Sequence, residues 1–492
     1  MNVADYLLEG KPELTPALLT LSGDYTYGNV REAVQSVADF LLESGGKKGE
    51  RVLLLAESGL FWVAAYLGIL RAGMVCVPLP TNIATSDLEY ILSATGPRII
   101  FAEPRATKLI PGSWRSIPVV SSIPARASQE SGRVSVDEND LAALMFTSGS
   151  TGRPRGVMIT HQNIISNTES IIQYLSLTAR DRIMCVLPFH YCFGTSLLHT
   201  HLAVGGSLVI DSRFMYPEAV LQRMRQTDCT GFAGVPSHYQ ILLRKSNLGR
   251  MDFPALRYVQ QAGGQLAPAF IQELQQALPG KQIFIMYGQT EATARLSYLP
   301  PNDLERKLGS AGKGIPGVTL TVVDEDGRDI APQQTGEIVA EGANISPGYW
   351  NDPEETARCF RNGKLYTGDL ATVDEDGFIY IVDRAKDFLK CGGKRVSCRH
   401  LENILLEFDE LIEAAVVGVP DEVLGEAAMA YVVPRNPKAQ PSPEQLDTHC
   451  RSRLPLSFVP KRYVLLTSLP KNSSGKVLKP LLKTQALELC AN

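Results

Sequence analysis

An α/β fold with more than one domain is what this 492-residue sequence predicts, on three observations. Short apolar runs alternate with amphipathic segments from the start to about Pro300, the rhythm of strands buried between helices. Beyond Pro300 the texture changes, and two Asp-Gly pairs, Asp326-Gly327 and Asp376-Gly377, stand beside alternating strands. From Asp387 the α/β rhythm returns. A chain of this length exceeds what one hydrophobic core usually organises, so two or three cores are expected.

Taken in order, Arg51–Ala56 (RVLLLA) reads as a buried strand, Leu60–Arg71 as a helix and Val75–Leu79 as a strand. Asp87–Ala94 then reads as a helix and Arg98–Ala102 as a strand. The apolar run Leu141–Phe146 is a buried strand that feeds a loop. Further strands are expected at Ile183–Leu187, Ser207–Ile210, Gly231–Val235, Leu256–Gln260 and Gln282–Met286, with helical stretches between them. Such spacing implies sheets covered on both faces. Val318–Arg328 and Ala371–Val382 read as antiparallel strands whose Asp-Gly turns supply the positive φ of a tight hairpin. Later come a helix near Arg399–Glu407, strands near Ala414–Val419 and Ala428–Val433, and a proline-rich loop at Pro434–Pro443.

Composition excludes several classes. A net charge of -4 leaves no electrostatic footprint for nucleic acid. The longest apolar run, Leu60–Leu70, is about half of a bilayer crossing, so no membrane span is expected. Met1–Gly10 lacks the basic and apolar regions of a signal peptide. Nine cysteines, an odd number without a C-x-x-C pair, read as reduced thiols in a cytoplasmic protein.

Four motifs carry chemistry. In Thr147-Ser148-Gly149-Ser150-Thr151-Gly152-Arg153-Pro154-Arg155-Gly156 the glycines let consecutive N–H groups converge on an anion, and hydroxyls and arginines add donors. No G-K-S/T closes it, so it is not a Walker loop; a flexible surface turn is the other reading. In Met286-Tyr287-Gly288-Gln289-Thr290-Glu291-Ala292, at a strand end, Tyr287 offers a flat face to a base and Gly288 close backbone approach. Thr290 offers a donor to a phosphate oxygen, and Glu291 a carboxylate for Mg²⁺ or simply a charge favoured at a helix start. In Leu365–Leu370, Asp369 beside Gly368 suits two ribose hydroxyls, with Arg384 a donor to the same sugar; Arg384 and Lys386 read equally as a solvated cluster. Finally Asn472-Ser473-Ser474-Gly475 makes a mobile turn able to deliver Lys476 into a cleft, although a lone lysine there is ordinarily a surface charge.

Together these motifs resemble the adenylate-forming superfamily, which includes acyl- and aryl-CoA synthetases, firefly luciferase and peptide-synthetase adenylation domains. The likeness runs from Tyr25-Thr26-Tyr27 to Lys476 and is nearest to the acyl- or aryl-CoA ligases. It implies a large N-terminal domain of two αβα-layered subdomains plus a small β-barrel-like unit, over residues 1–385 with the β unit at about 300–385. A small mobile C-terminal α/β domain would follow at 386–492. It implies that Thr147, Ser148, Gly149, Ser150, Thr151, Gly152 and Arg155 grip the β and γ phosphates of ATP, Arg155 standing where lysine is usual. Gly263 and Gly264 would line the adenine and acyl pockets, Tyr287 with Gly288 would take the adenine, Thr290 the α-phosphate, and Glu291 the Mg²⁺. Asp369 and Arg384 would bind the ribose, Lys386 would be the hinge, and Gly392 and Gly393 would admit a pantetheine arm. Lys476 would bridge the acid's carboxylate and the α-phosphate, a cation lowering the repulsion between two anions.

His190, in Pro188–Gly194, resembles the residue that gates the acid pocket; a core histidine satisfied by a carbonyl is the alternative. Peptide-synthetase domains place an aspartate there to pair an α-ammonium, so the expected substrate is a small-molecule carboxylic acid without an α-amino group. Gly231–Pro236 and Tyr239 would form another wall. Three further departures from the family pattern stand out: Asp383 for glycine, Cys398 for proline, and Leu401-Glu402-Asn403 for Glu-Ile-Glu. The expected reaction is ATP-dependent formation of an acyl-adenylate with release of pyrophosphate, then transfer to coenzyme A. The alternatives are transfer to the phosphopantetheine of an acyl carrier protein, a luciferase-like oxidation, and a non-catalytic nucleotide-binding regulator.

Overall fold

The structure, a computed structural model, describes residues 1–126, 134–148, 153–384, 388–391, 394–472 and 475–491; the side chains of Ser148, Arg384, Arg395 and Ala491 are not described. A six-stranded sheet runs in the order Val119–Val120, Ile99–Ala102, Arg51–Leu55, Val75–Leu79, Leu141–Ser148, Pro154–Thr160. Its strands are parallel except for the last pair, an antiparallel hairpin in which Thr147 faces Arg155 and Ser148 faces Pro154. The described residues that follow the glycine- and hydroxyl-rich motif thus form strand Pro154–Thr160 and not a helix.

A nine-stranded sheet places Gln282–Tyr287, Tyr258–Gln261, Gly231–Gly234, Arg182–Cys185 and Ser207–Ile210 side by side and parallel. One layer of helices, including Tyr27–Glu43, Leu60–Arg71, His161–Leu175 and Cys192–Val204, lies between the two sheets. Its apolar side chains share a single core with Val52 and Cys76 of one sheet and Ile183 and Ala233 of the other. Burial from both sides explains why Leu60–Arg71 is apolar almost all round. Helix Thr85–Thr95 covers the outer face of the first sheet. Pro217–Gln226, Pro236–Lys245 and Pro268–Ala277 cover that of the second. The result is two αβα units with a common middle layer.

Strands Ser297–Leu299 and Lys313–Gly314 still belong to the nine-stranded sheet. The antiparallel unit thus begins at Val318 rather than near Pro300, because those short strands satisfy the edge of the large sheet. It holds Val318–Val323, Thr335–Gly342, Phe360–Arg361, Lys364–Val373 and Ile379–Arg384. The Asp376-Gly377 turn closes the last hairpin as expected. The Asp326-Gly327 turn closes only a local bridge between Val323 and Asp329, and the pairing strand starts later, at Thr335.

The carboxy-terminal unit is a sheet of Phe388–Cys391, Lys394–Ser397, Leu411–Asp421 and Gly425–Pro434, with Arg462–Leu465 added in parallel. Helices Cys398–Leu406 and Pro443–Arg451 pack on one face, and Lys479–Ala491 on the other. It meets the large domain through Arg244, which donates to the Leu411 carbonyl, and through Arg435 Nε, 3.3 Å from the Arg244 carbonyl. Asp383, one of the departures noted above, is 1% exposed; its carboxylate accepts from Ser397 Oγ at 2.8 Å, the residue that caps helix Cys398–Leu406. No helix among the described residues is long and apolar enough to cross a membrane.

Candidate active site

Strand Gln282–Tyr287 ends at the C-terminal edge of the parallel strands, where α/β sheets hold ligands. Gly288 follows in a place no side chain fits, since an added Cβ would lie 2.0 Å from the Ala294 carbonyl oxygen. That close approach folds Thr290–Ala292 into a single 3₁₀ turn. Thr290 Oγ1 is then 3.5 Å from Cys192 Sγ, the first residue of the helix that follows His190 and Tyr191.

Glu291 accepts from the Tyr349 hydroxyl through Oε1 at 2.9 Å. Burial and the neighbouring Glu291 carboxylate push the Tyr349 hydroxyl far up, so it remains a donor. Tyr349 also bridges Val157 in the strand after the hairpin loop, and the Arg155 guanidinium lies 5.8 Å from its ring centre. Arg155 itself is paired with Glu355 Oε1 at 2.6 Å and Asp352 Oδ2 at 3.3 Å. It therefore reaches a phosphate only by exchanging those carboxylates.

Across the cleft, the Tyr287 hydroxyl donates to Asp369 Oδ2 at 2.7 Å, and Asp369 is backbone-paired with Arg384. Gly263 and Gly264 lie against Tyr191, Val235 and Pro236. His190 is half-buried, and desolvation pushes its imidazole down to about 4, so it is neutral at ordinary pH.

The turn carrying Lys476 is closed by a bridge between Lys471 and Val477, with Lys476 N donating to Asn472 Oδ1 at 2.9 Å. Gly475 has φ +79°, a region only glycine enters without strain, and it leans on the wall of the cleft. A Cβ there would be 3.1 Å from Val235 Cγ2 and 3.5 Å from Ser237 Oγ. The other methyl of Val235, Cγ1, would be 2.9 Å from a Cβ on Gly263. Val235 therefore touches the lysine turn on one side and the Gly263 segment on the other.

Tyr287, Thr290, Glu291, Asp369, His190, Gly263, Gly264 and the Lys476 turn thus come from five separate segments. Gly149, Ser150, Thr151, Gly152, Lys386, Gly392 and Gly393 lie outside the described residues, as do the side chains of Ser148 and Arg384. Sequence reasoning missed Cys192, Tyr349 and Arg295. The Pro347-Gly348 turn before Tyr349 is a visible signal, but nothing local in the sequence pairs it with Glu291. Arg295 is 1% exposed, with its guanidinium carbon 4.0 Å from the centre of the Phe193 ring.

Among the described residues no three His, Cys, Asp or Glu side chains cluster as metal ligands. One carboxylate, Glu291, with its Oε2 given no hydrogen bond among the described residues, suits Mg²⁺, which takes one or two carboxylates together with substrate phosphates.

The chain is similar to known proteins over most of its length. The sequence model of the AMP-binding enzyme family matches residues 9–350, and that of the AMP-binding enzyme C-terminal domain matches residues 400–476. A feruloyl-CoA synthase of Amycolatopsis sp is 32% identical over 92% of this chain and 92% of its own length. The medium-chain fatty-acid–CoA ligase of Escherichia coli (strain K12) is 30% identical over 98% and 90%. Among solved structures, ATP-bound MatB from Rhodopseudomonas palustris superposes with a TM-score of 0.90 at 28% identity, covering 99% of both chains. The apo form of that MatB superposes with a TM-score of 0.79.

Proposed function

The chain belongs to the AMP-binding enzyme family and is an AMP-forming acid–thiol ligase, and we propose that it activates a carboxylic acid lacking an α-amino group and passes the acyl group to coenzyme A. The observation that carries this reading is the closeness of Gly475 to Val235 and Ser237, which lays the Lys476 turn against the wall that Val235 shares with Gly263. A nucleotide-binding regulator has no use for a cation carried there by a separate unit. The higher TM-score against the ATP-bound relative than against its apo form supports the same arrangement.

In this reading Tyr287 stacks on adenine, Asp369 and Arg384 hold the ribose, and Thr290 donates to the α-phosphate. Lys476 draws the acid's carboxylate toward that phosphate and stabilises the charge that develops during in-line attack. Glu291, steadied by Tyr349, would hold Mg²⁺, which neutralises phosphate charge when bound. Neutral His190 at the mouth of the acid pocket suits an uncharged α-position. Rotation near Lys386, the boundary between a core of residues 1–385 and a mobile unit of 386–492, then withdraws Lys476 and brings Gly392 and Gly393 to the site. The feruloyl and fatty-acid ligases named above act on aromatic and aliphatic acids, so relatives alone leave the acid's skeleton open.

The test is pyrophosphate release with ATP and Mg²⁺ across fatty, aryl and amino acids, each with and without coenzyme A. Turnover that requires coenzyme A and an acid without an α-amino group is expected. Release limited to about one equivalent despite coenzyme A would replace it with a carrier-protein acceptor, and no release with any acid would leave the regulator.

A further inference from the structure

Arg295 presents a buried charge without a counter-ion among the described residues. It is 1% exposed, and no ion pair among the described residues includes it. A guanidinium stays protonated in any folded protein, and a buried charge is strongly unfavourable unless something pairs with it. The Phe193 ring, 4.0 Å below the guanidinium carbon, supplies part of that through its face. Nε meets only the Met286 sulfur, at 3.4 Å, a weak acceptor. The Tyr174 hydroxyl sits within hydrogen-bonding reach of the group, yet Nη2 has no hydrogen-bond partner among the described residues.

A second orphan lies on the same face of the sheet. Gln260, 1% exposed, pairs in register with Phe284, two residues before Met286, and among the described residues its amide has no partner other than the Tyr258 hydroxyl beside it. Buried amides and guanidinium groups are ordinarily satisfied, and two neighbouring exceptions call for one explanation.

Their position supplies it. Phe193 follows Cys192, whose sulfur lies 3.5 Å from Thr290 Oγ1, so Arg295 packs on the helix residue next to the one that meets Thr290. The reacting carboxylate belongs on the Thr290 and Lys476 side of that layer. A group reaching Arg295 is therefore at the far end of the acid.

We propose that Arg295, with Gln260 beside it, forms a polar floor to the acid pocket and selects a carboxylic acid whose far end carries a second carboxylate. This rests on the acid-activation reading above and narrows its substrate class. A guanidinium fork matches a carboxylate in two parallel hydrogen bonds, and the Gln260 amide adds a neutral donor.

The experiment compares mono- and dicarboxylic acids of equal carbon skeleton, scored by kcat/KM for pyrophosphate release, in the native enzyme and in Arg295→Met, Arg295→Lys and Gln260→Leu. The native enzyme should favour the dicarboxylic member of at least one pair on the order of 100-fold, the scale of a lost charge-assisted contact. Arg295→Met should erase or invert that preference, Arg295→Lys should keep part of it, and Gln260→Leu should weaken it. A native enzyme that prefers monocarboxylic acids throughout, or an Arg295→Met variant that loses both classes equally, overturns the proposal. Thermal shifts with each acid and a non-hydrolysable ATP analogue give an answer independent of turnover. Stabilisation by the dicarboxylic acid alone, lost in Arg295→Met, upholds the proposal even if no pyrophosphate is released, and equal shifts from both acids overturn it.

Discussion

The hydroxyl of Tyr349 donates to Oε1 of Glu291 at 2.9 Å, while its backbone bridges Val157 in the strand leaving the hairpin loop. One tyrosine thus ties the carboxylate proposed for Mg²⁺ to the segment proposed for the β and γ phosphates. Tyr349→Phe should raise the Mg²⁺ concentration needed for half-maximal pyrophosphate release and lower kcat/KM about tenfold, the scale of one hydrogen bond to a charged group. An unchanged Mg²⁺ dependence would show that the hydroxyl is only a packing feature.

Lys476→Ala separates the half-reactions. Adenylate formation should fall by roughly 100- to 1,000-fold, as for loss of a preorganised charge contact. Transfer from a supplied acyl-adenylate to the thiol should persist, since that step does not use the lysine. Equal loss of both steps would rule out a lysine that serves only the first.

Gly475→Val puts a branched side chain at φ +79° and against Val235. The lysine turn should then sit off the wall, slowing adenylation about tenfold or more by misplacement while leaving thiol transfer intact. The measurement is the two half-reactions side by side, with the melting temperature as control. A rate equal to that of the native enzyme would mean the turn finds its place without this contact.

Burial pushes five of the seven histidines down: His161, His190 and His201 to about 4, His199 and His238 to about 3. In the unfolded chain each returns to about 6.5. Between those values the unfolded state binds more protons, so stability is complete above about pH 6.5 and falls as the pH drops toward 4. Melting curves should be flat at neutral pH and decline below it. A melting temperature that holds constant down to pH 4.5 would mean that these imidazoles are not kept neutral by the fold.

The strands of the large sheets were legible because long apolar runs announce them, and Val75–Leu79 and Ser207–Ile210 match the sequence reading residue for residue. Pro154–Thr160 was not, since its charged and glycine-rich start resembles the tail of a loop, and only pairing with Leu141–Ser148 makes it a strand. The residues proposed for the site were legible for a related reason. Tyr287, Gly288, Thr290 and Glu291 are consecutive or nearly so at one strand end, where local chemistry can be read. The contacts that join one motif to another were hidden. Glu291 and Tyr349 are 58 positions apart, Tyr287 and Asp369 82 apart, and no period or spacing encodes such pairs. Arg295 was invisible as a candidate because its interest lies in what it lacks among the described residues, a counter-ion, and that is a property of the folded interior.

Val235 has one methyl toward Gly475 and the other toward Gly263. A single side chain therefore works as a spacer shared by the pocket wall and the lysine turn. Any change of bulk at position 235 that alters the room for an acid also shifts the lysine relative to the phosphate. Breadth of substrate and speed of adenylation are mechanically geared at this residue, and altering one without the other requires changes elsewhere on the wall.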